Sequence, residues 1–295
     1  MPLIDRLKSS VRQYPGPAGV VALLLLVVVV FWPFLTGQHL FFGDLELYYY
    51  PVSEFWRRSF SSGTLPLWNP QLFGGVSYVG NPQIVSLYPP DMLLWWLPTY
   101  TAMGVSAMLH LWASGSCFFL WMRRGQLRLS SGAAWLGAIC WMLGGAFVTK
   151  TQFPNMLTSL AYLPAAMWAA EALARRPSVR ATTTLGAVLA LQLLAAHAQI
   201  SYLTIGFALA YTLCVWWPSP RPQLGKVALA WGGALLLAAL LDAGQLLPVA
   251  ETLRGAERQH LSLQEAERFY LPFWAVTHLF LPYLYGNPNN GTWTY

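Results

Sequence analysis

The sequence predicts an all-α polytopic membrane protein with about seven transmembrane helices, and three observations support that prediction. Hydrophobic residues make up 56% of the chain and charged residues only 9%, whereas soluble domains carry roughly 25% charged residues. The apolar residues occur in long runs, most of them close to the ~20 residues that cross a bilayer. One polar stretch, residues 37–100, follows the first run and is expected to form a large outer loop with interfacial helices.

The apolar runs divide the chain into a cytoplasmic tail (1–16), a transmembrane module (17–250) and an outer polar segment (251–295). The run 181–217 is too long for one span and fits two short spans joined near residues 196–199. The first run has no small-residue cleavage site and is expected to remain as a signal anchor. The predicted spans cover 17–36, 101–122, 129–149, 155–174, 181–217 as a pair, and 227–249.

The distribution of basic residues predicts the orientation of the chain. Eleven of the 17 Lys and Arg residues fall in the tail and the short loops of one side, and six fall in longer loops of the other. This excess predicts an N-terminus inside and the 37–100 loop outside. The net charge of +6 is therefore a topology signal and does not indicate nucleic-acid binding. The three cysteines lie inside apolar runs and are interpreted as buried hydrophobes.

The outer loop is expected to contain two helices. Residues 45–60 carry an apolar stripe at helical spacing, with Glu54 and Arg57 on the other face, which predicts a helix on the membrane surface. The Pro-Pro-Asp sequence at 89–91 predicts the start of a second, short helix.

Three carboxylates of the outer loop, Asp44, Glu46 and Asp91, are candidate catalytic residues because acidic groups beside a membrane are costly and commonly functional. Asp44 and Asp91 also fit helix caps, and that alternative stays open. Glu46 faces the same way as Asp44 only if Asp44 is extended, since residues two apart on a helix point apart.

Polar residues near the spans give further candidates. His197 fits either a hydrogen bond between helices or a site residue, and Asp242 fits either function or a bond to neighbouring helices. His110 is expected to be a packing residue. The chain has no Walker loop, dinucleotide glycine motif, CxxC pair or HExxH motif, so ATP-driven transport and zinc hydrolysis have no support.

A series of short motifs runs along nearly the whole chain: Gly43-Asp44-Leu45, Pro66-Leu67-Trp68-Asn69-Pro70, Phe73-Gly74-Gly75, Asn81-Pro82-Gln83, Tyr88-Pro89, Leu109-His110, His197-Ala198-Gln199, Gln245-Leu246-Leu247-Pro248 with Glu251, and Leu281-Pro282 with Tyr285-Gly286. In order and spacing these motifs resemble the bacterial YfhO family of membrane proteins. That family is similar to the GT-C fold glycosyltransferases, which take a sugar from a polyprenyl-phosphate carrier on the outer face of the membrane.

The chain departs from the family pattern in two ways. The family usually has Gly before its His-Pro-Gln-like motif, whereas Ala196-His197-Ala198-Gln199 lacks both Gly and Pro. Family members are also much longer, so the sequence ending at Tyr295 is expected to be an N-terminal portion.

The resemblance implies a membrane glycosyltransferase of the bacterial cytoplasmic membrane, acting on a cell-envelope glycan or lipid acceptor. Asp44 is then the catalytic base or the ligand of a divalent cation, Mg²⁺ or Mn²⁺. Tyr48, Tyr49, Trp68 and Tyr88 can stack on sugars or serve as interfacial anchors. The candidate substrate-binding residues are Lys150, His197, Gln199, Gln245, Glu251, Arg254 and Arg258. The alternatives are a transporter or flippase of lipid-linked intermediates, with Asp242 and His197 lining its path, and a catalytically incomplete scaffold.

Overall fold

The computed structural model describes residues 15–41, 43–216, 224–255, 272–281, 283–286 and 290–292, and within them the protein is mostly helical. Two compact units are defined, Met1–Thr252 and Leu253–Tyr295. The α-helices are α1 (Pro15–Val30), α2 (Tyr50–Ser61), α3 (Pro89–Met92), α4 (Thr99–Arg124), α5 (Ser131–Met142), α6 (Gly145–Val148), α7 (Pro154–Ala161), α8 (Leu163–Arg175), α9 (Val179–Leu194), α10 (Ala198–Trp216), α11 (Leu224–Leu241) and α12 (Ala243–Arg254).

Candidate membrane spans are fewer than the sequence predicts. Within the described residues, three helices are long and apolar enough to cross a bilayer: Thr99–Arg124, Ala198–Val215 and Leu224–Leu241. A fourth is added if Ser131–Met142 and Gly145–Gln152, bent by 40°, form one broken span. The helices Gly16–Val30 and Val179–Leu194 are apolar but shorter. An all-α architecture with three to four candidate spans is therefore observed, and seven spans stay a prediction.

Several predicted spans are interrupted, and proline or glycine accounts for three of the breaks. The run 17–36 leaves the α-helix at Val30 and ends in a 3₁₀ turn that carries Pro33 near its start. Gly144 has extended geometry (φ −62°, ψ 147°) between α5 and α6. Pro164 lies in the first turn of α8 and has no N–H to continue the helix from α7. The predicted span 227–249 is divided at Asp242, between α11 and α12.

Two apolar cores hold the first unit together. One surrounds α4, where Leu111, Phe119 and Met142 are buried with residues of α1 and α5. The other lies among α8, α9, α10 and α11, with Leu173, Leu185 and Trp231 buried in it. Small residues let α9 and α11 approach closely, because a Cβ at Gly186 would lie 2.9 Å from the carbonyl oxygen of Ala234.

Glu171 is a buried carboxylate with a full set of partners. It accepts hydrogen bonds from the Trp121 indole at 2.8 Å and the Tyr211 hydroxyl at 2.9 Å, and it pairs with Arg175 at 3.0 Å. Because the charge is paired and both oxygens are bonded, we assign Glu171 a structural role.

The 37–100 segment, which the sequence predicts to contain helices, is folded. A π-helical turn (Leu45–Tyr49) continues directly into α2, which confirms the helix expected at 45–60. A two-stranded antiparallel sheet follows, β1 (Trp68–Asn69) and β2 (Val76–Ser77), with Trp68 opposite Ser77. The short helix α3 begins at the predicted Pro-Pro-Asp sequence.

Long-range hydrogen bonds hold the 37–100 segment together and join it to α4. The Trp56 indole donates to the carbonyl oxygen of Ser86 at 2.9 Å, and the Tyr78 hydroxyl donates to the carbonyl oxygen of Val52 at 3.1 Å. Glu54 accepts a hydrogen bond from Thr99, the first residue of α4. This bond holds α2 against the N-terminal end of α4.

The second unit has few described residues. Its 3₁₀ helix, Phe273–Leu279, brings the ring of Trp274 to 4.7 Å from the ring of Tyr285, centroid to centroid.

Candidate functional site

A cavity of about 110 Å³ lies between the 37–100 segment and the N-terminal end of α4. Aromatic side chains form much of its wall, among them Tyr49, Tyr50, Trp56 and Tyr88. Asp91 is the carboxylate among the described lining residues, and Arg57 adds a cation that is already paired with Glu54 at 2.8 Å. Aromatic faces with a few polar groups are typical of a small-molecule site.

Asp91 is half-buried and bonded within this wall. Its Oδ1 accepts a hydrogen bond from the Ser106 hydroxyl at 2.5 Å. Burial raises the pKa of the Asp91 carboxyl, and both His110 and the Ser106 bond oppose that shift. Tyr88 precedes α3 with extended geometry and makes no side-chain cap, while Asp91 sits within the first turn. The cap predicted as an alternative role for Asp91 is therefore wrong, since its side chain points across to α4.

A chain of two hydrogen bonds joins the 37–100 segment to the bend between α9 and α10. The Tyr49 hydroxyl donates to Asn155 Oδ1 at 2.9 Å, and Asn155 Nδ2 donates to the carbonyl oxygen of Ala196 at 3.2 Å. Asn155 is only 2% exposed. Ala196 has a positive φ of 60°, a conformation that residues with a Cβ rarely adopt. Asn155 thus links Tyr49 to the strained residue that precedes His197.

His197 and Lys150 lie near each other at this bend. Burial lowers the pKa of His197, and the positive charge of Lys150 lowers it further. The backbone N–H of Ile200 donates to His197 Nδ1 at 3.3 Å, so this ring nitrogen accepts and the ring caps α10. Lys150 Nζ lies 5.5 Å from the centre of the Phe153 ring. Within the described part of the chain Lys150 has no carboxylate partner, which leaves its charge available to an anion.

Asp44 lies at the start of the π-helical turn that carries Tyr49. Burial raises the pKa of the Tyr49 hydroxyl to about 12, and Tyr48 and the Asp44 carboxylate raise it further. Asp44 is exposed and makes no side-chain cap to the helix it begins, so its predicted alternative role as a capping residue is wrong. Glu46 is also exposed. Because Asp44 has helical geometry (φ −63°, ψ −26°), the two carboxylates do not share a face.

The remaining predicted substrate-binding residues are dispersed. Gln245 is 4% exposed and lines a second, apolar cavity of about 420 Å³ between α9 and α12, where it accepts from the Ser86 hydroxyl at 3.4 Å. Gln199 and Glu251 are exposed on α10 and α12. Arg254 is exposed and belongs to the second unit. Arg258 lies outside the described residues.

No group of three or more His, Cys, Asp or Glu side chains with metal-binding geometry occurs among the described residues. A divalent cation at Asp44 therefore stays a prediction, in which oxygen ligands other than protein side chains complete the coordination sphere.

Sequence reasoning missed Asn155, Ser106 and Tyr162 and took His110 for a packing residue. His110 is buried, but Tyr88 Oη lies 2.5 Å from its Nε2 and the carbonyl oxygen of Ser106 lies 2.7 Å from its Nδ1, so the packing interpretation is incomplete. The sequence feature that could have identified these residues is their polarity within or beside apolar runs, where an unpaired polar group is costly.

Comparisons with known proteins add no relative. No family model matches the chain, and neither a curated protein nor a solved structure matches it. The resemblance to the YfhO family therefore remains a prediction from the motifs.

Proposed function

We propose that this protein is a glycosyltransferase of the bacterial cytoplasmic membrane that moves a sugar from a polyprenyl-phosphate carrier to a cell-envelope acceptor. In this proposal the chain crosses the membrane seven times, its N-terminus lies inside, and its active site faces outward. The observation that carries the proposal is the Tyr49–Asn155–Ala196 connection. It ties the turn that begins at Asp44 to the bend that carries His197, and Lys150, in the 3₁₀ turn Thr149–Gln152, lies close enough to His197 to lower its pKa.

The reaction needs a proton acceptor for the attacking hydroxyl and a cation for the leaving phosphate. Asp44 accepts the proton of an acceptor hydroxyl while the hydroxyl oxygen attacks the anomeric carbon of the sugar. The bond between that carbon and the phosphate oxygen breaks, and polyprenyl phosphate leaves with the bonding electrons. Lys150 supplies a cation for the leaving phosphate. In the alternative form of the proposal, Asp44 would hold Mg²⁺ or Mn²⁺, and the cation would supply positive charge for the leaving phosphate.

His197 is suited to respond to the phosphate. Its pKa is lowered by burial, which favours a neutral ring in the free protein. The phosphodiester of the bound donor carries one negative charge and stabilises the protonated ring, because an opposite charge nearby raises the pKa of a histidine. Donor binding is therefore expected to take up a proton and to strengthen as the pH falls toward 6.

The aromatic cavity supports the sugar half of the proposal. Tyr49 belongs both to the cavity wall and to the bond with Asn155, so the cavity and the charged bend share a side chain. Tyr and Trp faces suit the apolar faces of sugar rings, and a few fixed polar groups orient the hydroxyls.

The test is sugar transfer from a labelled polyprenyl-phosphate sugar in membranes that carry the full chain at matched expression. Asp44→Asn is expected to abolish transfer, and Lys150→Gln is expected to reduce it about 10-fold or more through a higher donor KM. Lys226→Gln is the matched control, since Lys226 is an exposed lysine of α11. Equal rates of sugar transfer in wild type and Asp44→Asn would contradict the proposal that Asp44 is the catalytic base.

A second candidate, a transporter of lipid-linked intermediates, is favoured by one observation. Asp242 is 4% exposed at the junction of α11 and α12, and its Oδ1 has no hydrogen-bond partner in the described part of the chain. Buried unpaired carboxylates are costly in a membrane and commonly mark ion or substrate paths. A transporter predicts that Asp242→Asn abolishes movement of the labelled donor while Asp44→Asn leaves it unchanged.

A further inference from the structure

Five side chains form one hydrogen-bonded chain from the cavity wall through α4 to Tyr162, between α7 and α8. Ser106 donates to Asp91, and the Ser106 hydroxyl lies 3.2 Å from His110 Nδ1. On the far side of the imidazole, Tyr88 Oη lies 2.5 Å from Nε2 and 2.6 Å from Tyr162 Oη. Ser106, His110 and Tyr88 are all buried, so the chain is shielded from bulk water along its middle.

The proton positions follow from the donors and acceptors. His110 Nδ1 lies 2.7 Å from the carbonyl oxygen of Ser106, and that oxygen can only accept. Nδ1 therefore carries a hydrogen, and the Nε2 atom of a neutral ring accepts from Tyr88. Tyr88 in turn accepts from Tyr162. Every bond in the chain is satisfied when the imidazole is neutral.

A second arrangement satisfies the same bonds. If Nε2 is also protonated, it donates to Tyr88, and the Tyr88 hydroxyl then donates to Tyr162. Asp91 as a carboxylate still accepts from Ser106. The two arrangements differ by one proton, held either by Asp91 or by His110, and by the direction of the two hydroxyls.

The surroundings of Asp91 favour the proton on the carboxyl. Burial raises the pKa of Asp91 and His110 opposes it, with burial the larger influence. The other titratable groups that face the chain are Tyr88, Tyr162 and, beside Tyr162, Cys117, none of which is a cation. On α2, Arg57 is engaged by Glu54. In the described residues no hydrogen bond involves Asp91 Oδ2, and Asp91 lines the cavity.

We propose that Asp91 is the hydrogen-bond donor of the cavity, and that His110, acting through Ser106, is the positioning residue that holds the alternative proton site. A protonated Oδ2 donates to a ligand oxygen in the cavity. Among tyrosine and tryptophan faces the matching ligand is a hydroxyl-rich ring, such as the sugar of the proposed reaction. This choice of ligand rests on the proposed function, whereas the protonation of Asp91 does not.

The test is infrared spectroscopy of the full chain in lipid vesicles, with the pH titrated and no sugar added. We expect a protonated-carboxyl C=O band at neutral pH that is missing in Asp91→Asn. In His110→Gln the midpoint of this band is expected to rise by about one pH unit or more, because His110 lowers the pKa of Asp91 in the wild type. A purely structural role for His110 would not move that midpoint.

Two results would overturn the proposal. One is an Asp91 band that vanishes in the wild type by about pH 5, as for an ordinary aspartate. The other is an equal midpoint in wild type and folded His110→Gln. If His110→Gln does not fold, Ser106→Ala serves instead, and an unchanged band frequency in that variant contradicts the link through Ser106. Because no sugar is used, a failed transfer assay leaves this result intact.

Discussion

Glu54 joins helix α2 to the N-terminal end of α4 by a hydrogen bond with Thr99. It accepts from Arg57 at 2.8 Å and from Arg58 at 2.7 Å, and Thr99 donates to it as well. The Arg57 hydrogen bond is the largest influence on its pKa, which is lowered to about 2. A carboxylate with a pKa depressed in the folded state stabilises the fold above its unfolded pKa, and this stabilisation is lost as the pH falls through the folded value.

We therefore predict a pH-dependent effect of Glu54→Gln on the free energy of unfolding. At neutral pH the variant should be less stable than wild type by about 1 kcal/mol, since two of the bonds involve exposed or partly exposed arginines. The difference should shrink between about pH 5 and pH 2. Denaturant unfolding in detergent micelles measures it, with exposed Glu46→Gln as the control. A difference that stays constant over this range would contradict the role of the ionised carboxylate.

The site residues show what a single sequence can reveal at this scale. Asp91 was singled out by its type and its place in a polar loop, but its partners Ser106 and His110 lie on another helix, 15 and more positions away. Asn155 is 106 positions from Tyr49. Pairings of this kind depend on how helices pack, which local spacing does not determine.

The bend between α9 and α10 is the element on which the proposed site depends most. The pair of helices predicted from the length of the run 181–217 is confirmed, with α9 ending at Leu194 and α10 beginning at Ala198. The residue before His197, Ala196, has the left-handed conformation. A Cβ in this region costs roughly 1–2 kcal/mol.

Ala196→Gly is accordingly expected to stabilise the protein by about 1 kcal/mol, because it removes this strain. The neighbouring Ala195→Gly is the matched control, since Ala195 is buried with φ −72° and gains nothing from glycine. It should destabilise by about 0.5–1 kcal/mol. The denaturant unfolding midpoints of the two variants, each compared with that of the wild type, measure these changes in stability. Equal destabilisation by both would mean that Ala196 is not strained.

The contact between α9 and α11 gives a second test at the level of elements. A Cβ on Gly186 would meet the carbonyl oxygen of Ala234 at 2.9 Å, whereas a Cβ on Gly232 meets nothing within 4 Å. Gly186→Ala should destabilise by about 1–3 kcal/mol because the helices must move apart. Gly232→Ala should be neutral or stabilising by up to about 1 kcal/mol. Thermal unfolding compares them, and equal effects would argue against close packing at Gly186.

At the scale of the whole molecule, composition was sufficient for the all-α class but not for the number of spans. Long apolar runs predict helices, but Gly144 and Pro164 divide two of the predicted spans into shorter helices. Whether two short helices cross together depends on their angle, as in the 40° bend at α5 and α6. That angle comes from tertiary packing and has no signature in hydropathy.

Orientation is tested by the labelling of single cysteines with a membrane-impermeant maleimide. Ser62→Cys, in the exposed turn after α2, is expected to react in intact cells. Gln126→Cys, in the exposed loop after α4, is expected to react only after permeabilisation, because the basic loops face inward. The native cysteines are first replaced by serine or alanine. The reverse pattern would put the proposed site on the wrong face of the membrane.

The most direct test of glycosyl transfer uses the purified full chain in proteoliposomes with a labelled polyprenyl-phosphate sugar and a hydroxyl acceptor outside. Both the new glycosidic bond and the side on which the donor lies are followed in one experiment. We predict that wild type forms the bond and releases polyprenyl phosphate, and that Asp44→Asn forms none while binding the donor. Donor that crosses the bilayer with its sugar still attached, equally in both proteins, would contradict glycosyl transfer and establish transport.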